Sequence, residues 1–193
     1  MIRRLATGVG VVVVAAALAL ASAWWMLLHR PQQSGIVNGA WRTSTTVGSV
    51  NADMYTRASV AITGLFALSA AEAIYFSATT DDAGAPLLAR CRYVIAGKPV
   101  AARWWSITAY ADDNFLIPNV ANRFSYNMGN LTGEEGGAFR IVASGDEQPG
   151  NWLSTGRGRE FCLLFRLYNA APATLANLQT IALPTIKREG ECR

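Results

Sequence analysis

Histidine is nearly missing from these 193 residues: His29 is the one imidazole. The chain beyond it therefore cannot build a Ser-His or Cys-His nucleophile system, or a zinc cluster of the usual histidine-containing type. His29 itself reads as a residue flanking a membrane segment. Charge is also scarce, at 16% of residues, and the formal net charge of +4 includes Arg3, Arg4 and Arg30 near the N-terminus. The remainder of the chain is close to balance and lacks the basic footprint of a nucleic-acid binder. Repeats and low-complexity tracts are absent outside an alanine- and valine-rich opening. Nothing calls for a metal or a cofactor, and no catalytic signature stands out.

What the chain does have is an uncharged run from Leu5 to Leu28, with Arg3 and Arg4 before it and His29 and Arg30 after it. As a helix rising about 1.5 Å per residue it reaches roughly 36 Å, enough to cross a hydrocarbon core of about 30 Å with some tilt. Val12 and Leu18 lie inside the run, and Trp24 and Trp25 sit near its far end, where indoles favour the headgroup level. The basic flank keeps the N-terminus cytoplasmic and places the remainder outside the cytosol. A cleaved signal peptide is the competing reading, because Ala21-Ser22-Ala23 offers the small residues a signal peptidase needs before Trp24. The run is long for a signal and continues through Leu28 past that cut, which favours the anchor.

Beyond residue 30 remain about 160 residues, the size of one ordinary domain with a self-supporting core. Cys91, Cys162 and Cys192 in an exported body permit one disulfide with one thiol left over. Cys162 lies in Phe161-Cys162-Leu163-Leu164-Phe165, for which an apolar interior is the default. The expected bridge is Cys91 to Cys192, pinning the C-terminal tail to an early strand.

Residues 31–50 are rich in Gln, Ser, Thr, Gly and Asn and suit a linker, in which Trp41 is the one residue with a reason to dock. In the domain, 51–193, Tyr55, Ala58, Ile62, Leu65 and Phe66 recur at helical spacing between Ala52 and Leu68, with Asn51 or Asp53 available as cap. After that helix the period changes to two. Ala73 to Thr80, Arg90 to Ala96, Arg103 to Ala111, Arg123 to Met128, Phe139 to Ser144 and Phe161 to Tyr168 read as strands, separated by turns such as Asp112-Asp113-Asn114, Gly133 to Gly137 and Pro149-Gly150. The expected fold is mainly β: an antiparallel β-sandwich or jelly-roll-like domain, with Phe161 to Tyr168 central and one α-helix packed on a sheet.

Two blocks carry a resemblance. The first is Ala102-Arg103-Trp104-Trp105-Ser106-Ile107-Thr108-Ala109-Tyr110, followed by Asn114-Phe115-Leu116-Ile117-Pro118-Asn119 and Asn122-Arg123-Phe124-Ser125. The second is Pro149-Gly150-Asn151-Trp152-Leu153 with Leu163-Leu164-Phe165-Arg166-Leu167-Tyr168-Asn169. In this order, over Glu72 to Asn169, they resemble the family known as domain of unknown function 1214. The resemblance implies a β-sandwich-like domain of bacterial envelope or secreted proteins, and no activity. Longer relatives place a second uncharacterised domain before this one, where this chain has its membrane segment. That implies a separate envelope polypeptide carrying the companion domain as partner. Ser154 stands where the family more often has proline.

Several polar residues then compete between binding and structure. Asp112 and Asp113 could supply paired carboxylates with Arg123 holding an anion, but followed by Asn114 they read more economically as a turn. Asn119, Asn122 and Arg123 form the family-like loop, where binding and loop bracing are both physical. Arg166, among apolar neighbours, needs a partner such as Glu72 or faces a pocket. Trp104, Trp105 and Trp152 could line a ligand site, with core packing the default. The binding candidates are thus Asp113, Asn119, Asn122, Arg123, Trp152 and Arg166. The sequence supports a single-pass, periplasm-facing domain of the bacterial inner membrane that binds a ligand or serves an envelope complex. The alternative is an envelope enzyme using carboxylate and arginine chemistry on a small molecule or glycan.

Overall fold

The computed structural model describes residues 2–29, 35–64, 66–133 and 137–192. Residues 30–34 of the anchor's flank and expected linker, Leu65 of the expected helix and residues 134–136 of an expected turn lie outside the described residues, as do the side chains of Leu5, Leu28 and His29. The elements in order are α1 (Ile2–His29), β1 (Ile36–Asn38), β2 (Trp41–Thr43), α2 (Met54–Ile62), β3 (Ala73–Ala78), β4 (Arg92–Gly97) and β5 (Ala102–Ala111). They continue with β6 (Ser125–Asn127), β7 (Phe139–Ser144), β8 (Trp152–Ser154), β9 (Phe161–Ala170), α3 (Pro172–Ala176) and β10 (Thr185–Glu189).

Each of the six segments that alternate in sequence forms a strand, and two sheets result: a six-stranded sheet β1-β2-β3-β9-β5-β6 and a four-stranded sheet β10-β4-β7-β8. β9 lies between β3 and β5, central as expected. Phe161, Leu163, Phe165 and Leu167 project inward from it and are buried. Opposite them the smaller sheet contributes Tyr93, Ile95, Ile141 and Ile186, all fully buried, so the core is the layer between two inner faces. Aromatic pairs cross that layer: Trp105 stacks on Phe139 at 4.8 Å and Phe161 meets Tyr93 edge-on at 5.6 Å. Cys91 and Cys192 are bonded, closing the end of the β10–β4 ladder where Glu189 pairs with Arg92.

Four expectations are corrected. The linker 31–50 is in part a hairpin: β1 and β2 extend the larger sheet, and Trp41 is fully buried against Phe165, its indole N–H donating to the Pro184 carbonyl at 2.6 Å. One large apolar side chain outweighs the polar composition around it. The first helix is shorter than Ala52 to Leu68; Asp53 caps it, accepting from the Tyr55 and Thr56 amides at 2.9 and 3.1 Å, and Gly64 at φ 66° turns the chain out of it. That helix buries none of its residues, so it does not cover a sheet. Cys162 is half-buried on the outer face of β9 and not in the interior, because the strand's period of two sends it outward beside Leu164 and Arg166.

The sandwich is antiparallel save for one pair. β8 runs parallel to β7, with Val142 opposite Trp152. A parallel return normally needs a dozen or more residues, yet here residues 145–151 suffice because the ladder is three pairs long. Gly145 lets the chain after β8 pack close to the start of this loop: a Cβ on it would stand 2.6 Å from the Gly156 carbonyl oxygen. The compressed loop that results walls one side of a surface cleft.

Candidate functional site

Between the loop that precedes β6 and the loop joining β7 to β8 lies an open cleft of about 220 Å³. Ala121, Arg123 and Tyr126 line one side; Glu147, Gln148 and Gly150 line the other; Asn130, Thr132, Asn151 and Trp152 complete it. Each wall is held by its own side chains. On the first, Asn119 Oδ1 accepts the Arg123 amide at 3.0 Å while its Nδ2 donates to the Ile117 and Arg123 carbonyls at 3.0 and 2.8 Å. Asn122 turns the loop at φ 50°, a left-handed conformation that asparagine tolerates. On the second, the Ser144 hydroxyl donates to the Asp146 carbonyl at 2.6 Å and the Trp152 indole to the Ser144 carbonyl at 3.0 Å.

Asn151 ties the second wall to the segment after β6 and to β7. Its Oδ1 accepts from the Thr132 amide and hydroxyl, each at 3.0 Å, and its Nδ2 donates to the carbonyls of Thr132 and Arg140 at 2.8 and 3.0 Å. Asn130 is similarly occupied with the Asn127 amide and the Ser125 carbonyl. These amides are structural, which leaves the exposed Arg123 guanidinium and the Glu147 carboxylate as the charged groups offered to a ligand. Arg123 lies 5.1 Å over the buried Tyr126 ring and forms no ion pair with any described residue. A guanidinium positioned over an aromatic face by cation–π attraction keeps its fork free for a carboxylate or phosphate.

Arg123 and Trp152, from the two family-like blocks, therefore meet in one cleft, and Asn119 and Asn122 shape its rim. Asp113 and Arg166 do not join them. Asp113 Oδ1 accepts the Phe115 amide at 2.9 Å within the turn after β5, where Asn114 sits at φ 65°. Arg166 stands on the outer face of the larger sheet, and its partners are not Glu72 but the hydroxyls of Thr108 at 3.0 Å and Tyr110 at 2.6 Å. On that face Trp104 meets Tyr168 edge-on at 5.3 Å, whereas Trp105 belongs to the core. Burial pushes the Cys162 thiol up from its ordinary value, with the nearby Arg166 pulling the other way. Tyr126, Glu147, Gln148 and Asn151 do not stand out in the sequence. The available signal is that Asn151 follows a Pro-Gly turn inside the second block.

α1 is long and apolar enough over Ala6–Leu27 to cross a membrane, lies near the N-terminus and has none of that span buried in the chain. Val12, Leu18, Trp24 and Trp25 are all more than half exposed. Signal sequences share this length and composition.

Comparison with known proteins finds a family match and similar solved structures. No curated protein matches. The crystal structure of the VPA0106 protein from Vibrio parahaemolyticus superposes with a TM-score of 0.56 at 24% identity, covering 71% of this chain and 36% of that one. An uncharacterised protein from Burkholderia cenocepacia gives 0.45 at 17% identity, covering 91% of this chain and 42% of that one. The chain thus spans well under half the length of either. The first likeness supports the fold alone. The family described as protein of unknown function (DUF1214) matches residues 72–172, which include β3, the blocks around Arg123 and Trp152, and all of β9. This chain belongs to that family.

Proposed function

We propose that this chain is a single-pass membrane protein, N-terminus cytoplasmic and sandwich on the periplasmic side of a bacterial inner membrane, and that it acts by binding through the Arg123 cleft. The apolar α1 and the Cys91–Cys192 bond support the address, since such bonds persist outside the reducing cytosol. The observation that carries the binding reading is the open guanidinium of Arg123, seated on Tyr126 across the cleft from Glu147. The pairing suits a small anionic ligand rich in hydroxyls, its acid on Arg123 and its hydroxyls toward Glu147, Gln148 and Gly150. The module serves a separate envelope polypeptide, in keeping with a fold relative of which this chain spans 36%. The enzyme alternative has less behind it, because the cleft contains neither Asp112 nor Asp113 nor Arg166.

Glucuronate is a suitable probe. Titrated into the full chain in detergent micelles, it should give saturable NMR shifts at the amides of Ala121 and Gly150. Affinity should fall about tenfold or more in Arg123→Gln and stay unchanged in Arg140→Gln, whose guanidinium pairs with Glu189 at 3.0 Å. Wild-type protein without saturable shifts in the cleft would contradict this ligand class.

A further inference from the structure

We infer that α2 and its flanks lie on the surface of the bilayer that holds α1, with Val50, Met54, Ile62, Phe66 and Leu68 in contact with lipid; the inference rests on the anchor reading of α1. Met54, Ala58 and Ile62 repeat every four residues and so share one helical face. In a body that otherwise closes its core between two sheets, this face is left open by the described residues: Met54 is 83% exposed, Ile62 57%, and the flanking Val50 and Phe66 85% and 99%. Charge is nearly absent from the same stretch. Between residues 50 and 68 the ionisable acid and base are Asp53 and Arg57. Asp53 caps the helix, and Arg57 donates to the carbonyls of Ala52 and Val50. Asp53 thus accepts from amides and from the Thr56 hydroxyl, and Arg57 is turned onto carbonyls, so both charges are drawn to the start of the helix.

Two geometric facts say what covers it. α1 ends at His29 and β1 begins at Ile36, so the connecting residues can span no more than about 25 Å even when fully extended. The sandwich is thus tethered short, with no stalk to lift it away. α2 moreover approaches α1 to within 8 Å between Cα atoms. A short amphipathic helix beside a spanning helix lies where the hydrocarbon and headgroups meet, and its exposed apolar face finds there the cover the protein does not supply. With acid and base in balance, contact comes from apolar insertion and not from attraction to anionic lipid.

The test uses the full-length chain, with Cys162→Ala to remove the free thiol, reconstituted into vesicles of phosphatidylethanolamine and phosphatidylglycerol. Nitroxides are attached at Ile62→Cys, Phe66→Cys, Val12→Cys and, as an exposed apolar control away from the segment, Val120→Cys. Collision with dissolved oxygen is compared with collision with a water-soluble nickel chelate. Labels at 62 and 66 should favour oxygen several-fold over the label at 120, unchanged by added salt, with the label at 12 deeper still. An inserted label at 12 with labels at 62 and 66 matching 120 would overturn the inference and leave the anchor standing. An aqueous label at 12 would overturn both. Spin–spin broadening at 66 with aqueous accessibility would assign the face to a second copy of the chain and likewise overturn it.

Discussion

Asn151 shows how much of this site depends on a residue that never needs to touch a ligand. It is nearly buried, and four hydrogen bonds fasten the β7–β8 loop to the strand and loop beside it. Asn151→Ala should lower stability by about 1–3 kcal/mol, through carbonyls and an amide left without partners, with chemical denaturation as the readout. Tyr93, in the core, holds a loop of its own. Its hydroxyl accepts from the Leu88 amide at 2.9 Å and donates to the Pro86 carbonyl at 3.3 Å, and burial pushes its phenol above the ordinary value. The folded chain then holds a proton that the unfolded chain releases from about pH 10 upward. Its contribution is complete below that pH and is lost as pH rises through the raised value. Tyr93→Phe should therefore be less stable near neutrality yet show a shallower alkaline decline in a pH series of urea melts. At this scale the sequence reveals Arg123, Trp152 and Asn119 because they sit in distinctive blocks. Tyr126, Glu147 and Gln148 are hidden because their value comes from a fold that brings distant loops together. Asp113, legible as either acid or turn, sits in the turn.

Among the elements, the long strands are the readable ones. β5 and β9, ten residues each, announce themselves by alternation, and so do β3, β4 and β7. β1, β2 and β8 are three residues each, too short for any period to register; β6 is as short and is legible only within the longer stretch Arg123 to Met128, while the five-residue β10 passes unexpected. α2 is readable as a helix but not in its placement, since an apolar face signals burial without naming what buries it. The hairpin of β1 and β2 is the most consequential of the misread elements, because Trp41 makes the expected linker part of the core. Trp41→Ala should cost about 3–5 kcal/mol, the range for a large aromatic truncated in a packed interior, as measured by urea denaturation of the full chain. A linker residue would leave the midpoint unmoved.

For the whole molecule, a two-sheet body comes after α1 and a short connection, and a disulfide joins Cys91 near β4 to Cys192 near the end of the chain. Closing a loop of roughly a hundred residues contributes up to about 4–5 kcal/mol on the chain-entropy model, a gain open only to a body in an oxidising compartment. In the proposed placement address and stability are thereby linked, because a body kept in the reducing cytosol would forgo that gain. The direct test is protease treatment of intact spheroplasts, then a carbonate wash and mass spectrometry of the membrane pellet. The sandwich should be digested from outside, leaving a membrane fragment that begins at the N-terminus and ends just beyond His29. A body protected from the protease, or an undigested chain beginning at Trp24 and released by the wash, would contradict it.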